Sequence, residues 1–195
     1  MKFTFSPTLW LVVLCVSVSP VFDASSADNL NLPKKIVRER SYVRFVTKQM
    51  NVPVEGQFRS FDGKVTFDPT APAATKAEFT VDTGSIDLHN EEGETEAKRK
   101  LWLDVPGFPT AKFVTRSVKA LGNNRFEAVG ELTLKGTSIE VVAPFTVTDA
   151  HPLRTVEGQF PLKRLRFKVG EGQWSDTDTV ADEVLVRFRF TVPIT

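Results

Sequence analysis

Residues 112–145 read KFVTRSVKALGNNRFEAVGELTLKGTSIEVVAPF, and two turn signals inside this stretch decide the fold class. Asn123-Asn124 and Lys135-Gly136 suit two-residue hairpin turns, because Asn and Gly tolerate a positive φ. The first turn predicts Phe113 opposite Leu134, Thr115 opposite Leu132 and Leu121 opposite Phe126. The second predicts Leu132 opposite Ile139, Gly130 opposite Val141 and Phe126 opposite Phe145. Both hairpins select one inner face, and a slip of one residue would turn that whole face outward. On the outer face Arg116 is expected opposite Glu131, a favourable pair, while Glu131 against Glu140 is a like-charge pair with Arg116 nearby.

The same period-two alternation continues on both sides. Upstream, Val43 and Phe45 oppose Arg44 and Lys48, and over residues 54–60 Phe58 opposes Glu55, Gln57 and Arg59. Asp62-Gly63 reads as a further hairpin turn, pairing Phe58 with Phe67 and Ser60 with Val65. Ala77, Phe79 and Val81 alternate with Lys76, Glu78, Thr80 and Asp82. Downstream, residues 159–166 and 180–192 are the last strands. Residues 90–101 (NEEGETEAKRKL) break the pattern with acids first and bases last. That order complements a helix dipole and predicts one short surface helix. About eight strands alternating so evenly predict an all-β, closed antiparallel up-and-down barrel; a two-sheet sandwich has the same alternation.

The chain begins like an export signal. Lys2 is followed by the apolar run LWLVVLCVSV at 9–18 and by Ser25-Ser26-Ala27, so residues 1–27 are expected to be a signal peptide cut after Ala27. The run is shorter than the ~20 residues of a membrane-spanning helix. The single cysteine, Cys15, falls inside it, with Leu14 rather than a small residue before it. The remaining chain therefore has no disulfide, thiolate ligand or cysteine nucleophile. Residues 28–40 lack periodicity and read as a flexible lead-in to one domain over 41–195. A formal net charge of +1 argues against nucleic-acid binding. With 16 phenylalanines and one tyrosine, the interior is expected to be apolar.

The chemistry-bearing residues form no convergent catalytic site. Asp87, His89, Glu91 and Glu92 read better as a solvated helix start than as a metal cluster, and Asp176, Asp178 and Asp182 lack the spacing of a calcium loop. No nucleophile elbow or phosphate loop is present. The inward set is apolar: Val43, Phe45, Phe58, Phe67, Phe79, Phe113, Leu132, Leu134, Val141, Phe145, Phe160, Leu162, Val186 and Phe188. Gly56 and Gly130 fall on the same face, where missing side chains would leave room. Arg164 and Arg166 share the parity of Phe160 and Leu162. They are candidates either for a head group at the barrel mouth or for pairing with acids at the rim. On these residues alone a packed core, which every such domain needs, is the more natural reading than a lipid cavity.

Several segments, in order, resemble the YceI-like family of polyisoprenoid-binding proteins. They are VEGQF at 54–58, FDGKVTFDP at 61–69, VDTGSI at 81–86, FPTAKF at 108–113, GELTLKG at 130–136, residues 164–170, and the strand around Asp182-Glu183-Val184. The resemblance covers about residues 41–192. It implies a lipocalin-like barrel holding an isoprenoid chain, such as that of a quinone or a polyprenyl phosphate. It further implies a carrier or reservoir in the bacterial periplasm with no required cofactor, no turnover and room for a homodimer. Phe45, Phe58, Phe67, Phe79, Phe113, Leu132, Leu134, Phe145, Phe160, Leu162, Val186 and Phe188 would then be the lining. Arg166, Lys168 and the acid-rich stretch from Glu91 to Glu96 depart from the family pattern. The rival readings are a filled barrel that binds a protein partner and an enzyme acting on a lipid.

Overall fold

A computed structural model describes residues 32–194. The expected signal peptide and its cleavage point lie outside the described residues. Eleven strands form one antiparallel sheet. They are β1 (Lys34–Lys35), β2 (Tyr42–Gln49), β3 (Val52–Phe58), β4 (Phe61–Thr66), β5 (Lys76–Asp82), β6 (Ile86–Asp87), β7 (Thr110–Gly122), β8 (Arg125–Leu134), β9 (Thr137–Ala150), β10 (Leu153–Lys163) and β11 (Glu183–Pro193). The one α-helix among the described residues, α1 (Glu91–Ala97), is capped by the Asn90 side chain, which accepts from the Glu92 amide.

Strand order is β1-β4-β5-β7-β8-β9-β10-β11-β2-β3-β6. The sheet curls until distant inner faces meet: the ring of Phe79 on β5 stacks on Phe190 of β11, with centroids 3.9 Å apart and planes 13° from parallel. No hydrogen-bonded ladder joins β1 and β4 to β3 and β6. The architecture is therefore an eleven-stranded half-barrel, which corrects the expected closed barrel of about eight strands. The seam is bridged at one end by Arg59 and Ser60, which lead from β3 to β4. There the Arg59 amide donates to the Ser85 carbonyl and the Asp82 amide to the Ser60 carbonyl, each at 3.0 Å.

That connection explains a second correction. Asp62-Gly63 is not a turn; it lies inside β4, where Asp62 pairs with Thr80 and Gly63 with Phe79. The hairpin reading would have placed Phe61 outward. In the structure Phe61 is buried against Ile36, Val65 and Phe190. Burying a Phe side chain is worth roughly 1.5–3 kcal/mol, enough to outweigh a local turn preference.

The hairpins of residues 112–145 stand, with one refinement. Asn123, Asn124, Lys135 and Gly136 all take positive φ, as two-residue turns of this kind require. The β8–β9 register is the expected one, including Phe126 opposite Phe145. In β7, however, two bulges shift the register, between Thr115 and Ser117 and between Ala120 and Gly122. Phe113 thus faces Leu132, not Leu134; Thr115 faces Gly130; and Ala120, not Leu121, faces Phe126. Between the bulges parity inverts, so Val118 is buried and Leu121 is 45 % exposed. Bulged Arg116 still reaches Glu131 at 2.6 Å and Glu140 at 3.6 Å, which places a cation between the two paired acids.

The stretch expected as a flexible lead-in is seated on the sheet from residue 34 onward. Lys34 and Lys35 pair with Val65 and Lys64. The Val37 amide donates to Thr191 on β11 at 2.7 Å, and Ile36 is buried in the core. Alternation could not reveal a two-residue strand. Both final strands are also longer or shorter than expected: β10 starts at Leu153, and Arg164–Phe167 is a 3-10 turn.

Candidate functional site: an apolar cavity under a helical cap

The inner face does not fill the curl. A cavity of about 1000 Å³ is lined by β2, β3, β8, β10 and β11 and by the segments that cover its mouth. A smaller void of about 140 Å³ lies deeper, sharing Val43, Val81, Leu132, Phe160 and Val186 with the larger one. All twelve expected lining residues belong to one wall or the other. Phe45, Phe58, Leu132, Leu134, Phe160, Leu162 and Val186 line the larger cavity. Phe67, Phe79, Phe113, Phe145 and Phe188 line the smaller.

The phenylalanines leave room because many lie flat on the wall. Phe45 is the cross-strand partner of Gly56, Phe79 of Gly63 and Phe188 of Gly158. A Cβ on any of these glycines would collide with its partner's ring. Gly130 receives the ring of Phe113 in the same way. Gly56 and Gly130 therefore do not themselves open space; they allow a ring to lie down, and the space opens in front of it.

The cap comes from residues with no alternating pattern. Asn90, Glu91, Glu92, Thr95 and Glu96 of α1 and its start reach the cavity, as do Trp102, Leu103, Val169, Trp174 and Val180. Glu96 ties these parts together: it accepts from Trp174 Nε1 at 3.1 Å and from Arg99 Nη1 at 2.9 Å. Buried Lys135, in the β8–β9 turn, donates to the Lys168 carbonyl at 2.6 Å and to Glu171 at 3.2 Å, fixing the loop after β10. Apart from Val180, these residues sit on turns and helix, where period two carries no signal.

Arg164 and Arg166 are not brought together. Arg164 is 2 % exposed, and every guanidinium N–H is used on backbone. Nε donates to Ala181 O, Nη1 to Val169 O and Gly170 O, and Nη2 to Trp174 O and Val180 O, at 2.7–3.1 Å. Burial pulls its pKa down, with Asp182 opposing. A guanidinium has five donors, so none remains for a ligand head group. Arg164 is the clasp of the loop that covers the cavity, and Arg166 points into solvent. Arg164 therefore has no N–H left for a head group, and Arg166 is not among the residues that line either cavity.

Asp87 is buried outside the cavity. Hydrogen bonds from Arg59 and Gln57, each 2.9 Å, and from the His89 amide hold its carboxyl well below the usual carboxylate range, with burial opposing. Among the described residues no group of three or more His, Cys, Asp or Glu side chains is arranged to hold a metal. No helix among them is long and apolar enough to cross a membrane.

Comparison with known proteins agrees with this geometry. The family model of the YceI-like domain matches residues 35–192. The structure of BcnA from Burkholderia cenocepacia superposes with a TM-score of 0.79 at 38 % identity, covering 80 % of this chain and 99 % of that one. A polyisoprenoid binding domain from Saccharophagus degradans, implicated in plant cell wall breakdown, superposes with a TM-score of 0.68 at 12 % identity. It covers 84 % of this chain and 99 % of that chain, a likeness of fold. A UPF0312 protein of Yersinia pestis (strain Pestoides F) is 32 % identical over 111 residues, 56 % of this chain. The match spans 57 % of that relative's length.

Proposed function

We propose, from the premise that the chain belongs to the YceI-like domain family, that it binds a polyisoprenoid lipid in its half-barrel and carries or stores it without turnover. The observation that carries this reading is the cavity of about 1000 Å³ walled by Phe45, Phe58, Leu132, Leu134, Phe160 and Leu162. Ligand sites typically measure ~300–1,000 Å³, so this one is at the upper end. A branched hydrocarbon chain entering it gains ~25 cal/mol for each Å² of apolar surface removed from water. The wall offers that chain aromatic faces and methyl groups, and its polar groups are gathered at the capped end. An isoprenoid quinone or a polyprenyl phosphate has this division. A filled barrel that works only through its outer surface is at odds with so large a void.

The reading includes export. The apolar run at residues 9–18, followed by Ser25-Ser26-Ala27, supports a protein that works in the periplasm. Native mass spectrometry of the protein purified from its own cells tests the ligand. The expected result is a protein–lipid mass that organic extraction removes. A protein that carries no lipid and takes up none of a panel of prenyl quinones and prenyl phosphates would overturn the proposal.

A further inference from the structure

We infer that the deep void is a tail-end subsite. It takes the terminal isoprene unit of the bound prenyl chain, and the alanine pair Ala128 and Ala143 in its wall sets the longest chain that fits. The inference rests on the reading of the cavity as a polyisoprenoid site and adds what that site selects. Strand β8 supplies the depth scale. Leu134, next to the capped end, lines the larger cavity alone, Leu132 lines both voids, and Ala128 lines the deep void alone. Phe126 comes next along the inner face.

The two voids are neighbours with little between them. Val43, Val81, Ala111, Leu132, Phe160 and Val186 line both, and these residues stand on six different strands. What parts the voids is therefore a layer of side chains reaching in from the wall, not a crossing segment of chain. Interior side chains do change rotamer, and such changes in this layer join the two spaces.

The deep void exists because small side chains face each other among the rings. Ala128 is the cross-strand partner of Ala143, and both are buried on the inner face. The space they leave is about 140 Å³, with an almost wholly apolar wall. An apolar void of ~150 Å³ stays dry and accepts a benzene-sized guest; an isoprene unit, with one carbon fewer than benzene, is a guest of that size. The far end is shut. Phe126 stacks on Phe145 with centroids 5.4 Å apart, and Phe67 meets Phe126 edge-on at 5.2 Å. Arg154 donates to the Phe67 carbonyl at 3.0 Å, which fixes that ring's strand end. A chain that fills the site from the cap must end at this aromatic wall.

The test uses the full chain and a ladder of prenyl benzoquinones lengthened one isoprene unit at a time. Wild-type affinity is expected to rise with length to one optimum and then to fall. Ala143→Leu adds an isopropyl group to the deep void. It is expected to move the optimum one unit shorter, to weaken the wild-type optimum at least about tenfold as one unit loses its burial, and to spare the short chains. A second measurement needs no variant: the alanine methyl resonances of ¹³C-labelled wild type. Short chains are expected to move Ala97, on the larger cavity, and Ala111, between the voids. Ala128 and Ala143 are expected to move only when the chain reaches the optimum length. A ladder unchanged by Ala143→Leu, a loss equal at every length, or Ala128 and Ala143 methyls that stay still throughout or respond alike to every chain would overturn the tail-end subsite while leaving the lipid cavity standing. Failure of wild type to bind any member of the ladder would overturn the cavity reading and this inference with it.

Discussion

The ring of Phe45 lies over the backbone of its cross-strand partner Gly56, so closely that a Cβ there would also meet Leu88 at 2.8 Å. The pair is a joint in the cavity wall: the glycine has no side chain, and the ring occupies the place where one would be. Parallel pairs at Phe79 and Gly63 and at Phe188 and Gly158 repeat the device.

Gly56→Ala should therefore push the Phe45 ring off the wall. Overpacking of this kind costs ~1–3 kcal/mol. The expected result is a lower urea midpoint with unchanged m-value, together with less bound lipid per protein by native mass spectrometry.

Arg164 and Arg166 are expected to behave oppositely. Arg164→Ala leaves five carbonyls around a buried site without their donor. Truncating one side of such a network costs at least ~3 kcal/mol. Arg166 is exposed, and Arg166→Ala should fall within ~0.5 kcal/mol of wild type. Thermal denaturation of both variants checks this, and equal effects would contradict the clasp.

Acid should unfold the protein partly through Asp87. Its carboxyl is held low by Arg59 and Gln57 in the folded state, whereas an unfolded Asp titrates near ~3.9. A lowered folded value means that this stabilisation is fully present above the unfolded value. It declines as pH falls below that value and is lost once the folded group itself protonates. In Asp87→Asn, chemical denaturation between neutral pH and pH 3 should show a shallower fall in stability than in wild type.

Bound lipid should raise the melting temperature. A ligand that binds only the folded chain at a hundred times its Kd contributes ~2.7 kcal/mol. Protein stripped by organic extraction and refolded should melt lower than the loaded form and recover on adding a prenyl quinone. Leu134→Trp, which places bulk in the cavity, should lose most of that recovery.

The two bulges of β7 make a prediction about register. Leu121→Asp, on an exposed bulge residue, should be nearly neutral. Val118→Asp places an unpaired charge in the core beside Phe126 and Val147, and should destabilise strongly. The unbulged register would reverse the order.

Much of the wall was readable because alternation and turn chemistry agree: Leu132, Phe126 and Phe145 were paired correctly from Lys135-Gly136 alone. Asp62-Gly63 misled because a turn preference of the same form was outweighed by the burial of Phe61, a contact with Phe190 far along the chain. The β7 bulges insert residues without a compositional mark. The cap escaped because Trp102, Leu103 and Trp174 lie on turns, where no period exists. The role of Arg164 depends on five carbonyls from residues 169–181, brought together only by the loop it holds.

The seam between β4 and β3 sets the mechanics of the enclosure. A fully laddered cylinder has a girth fixed by its strand number and stagger. Here the circumference is interrupted, so the wall behaves as a split collar. Along most of the seam the two edges meet through side chains and not through a row of backbone bonds, with the Arg59 and Asp82 amides closing it at one end.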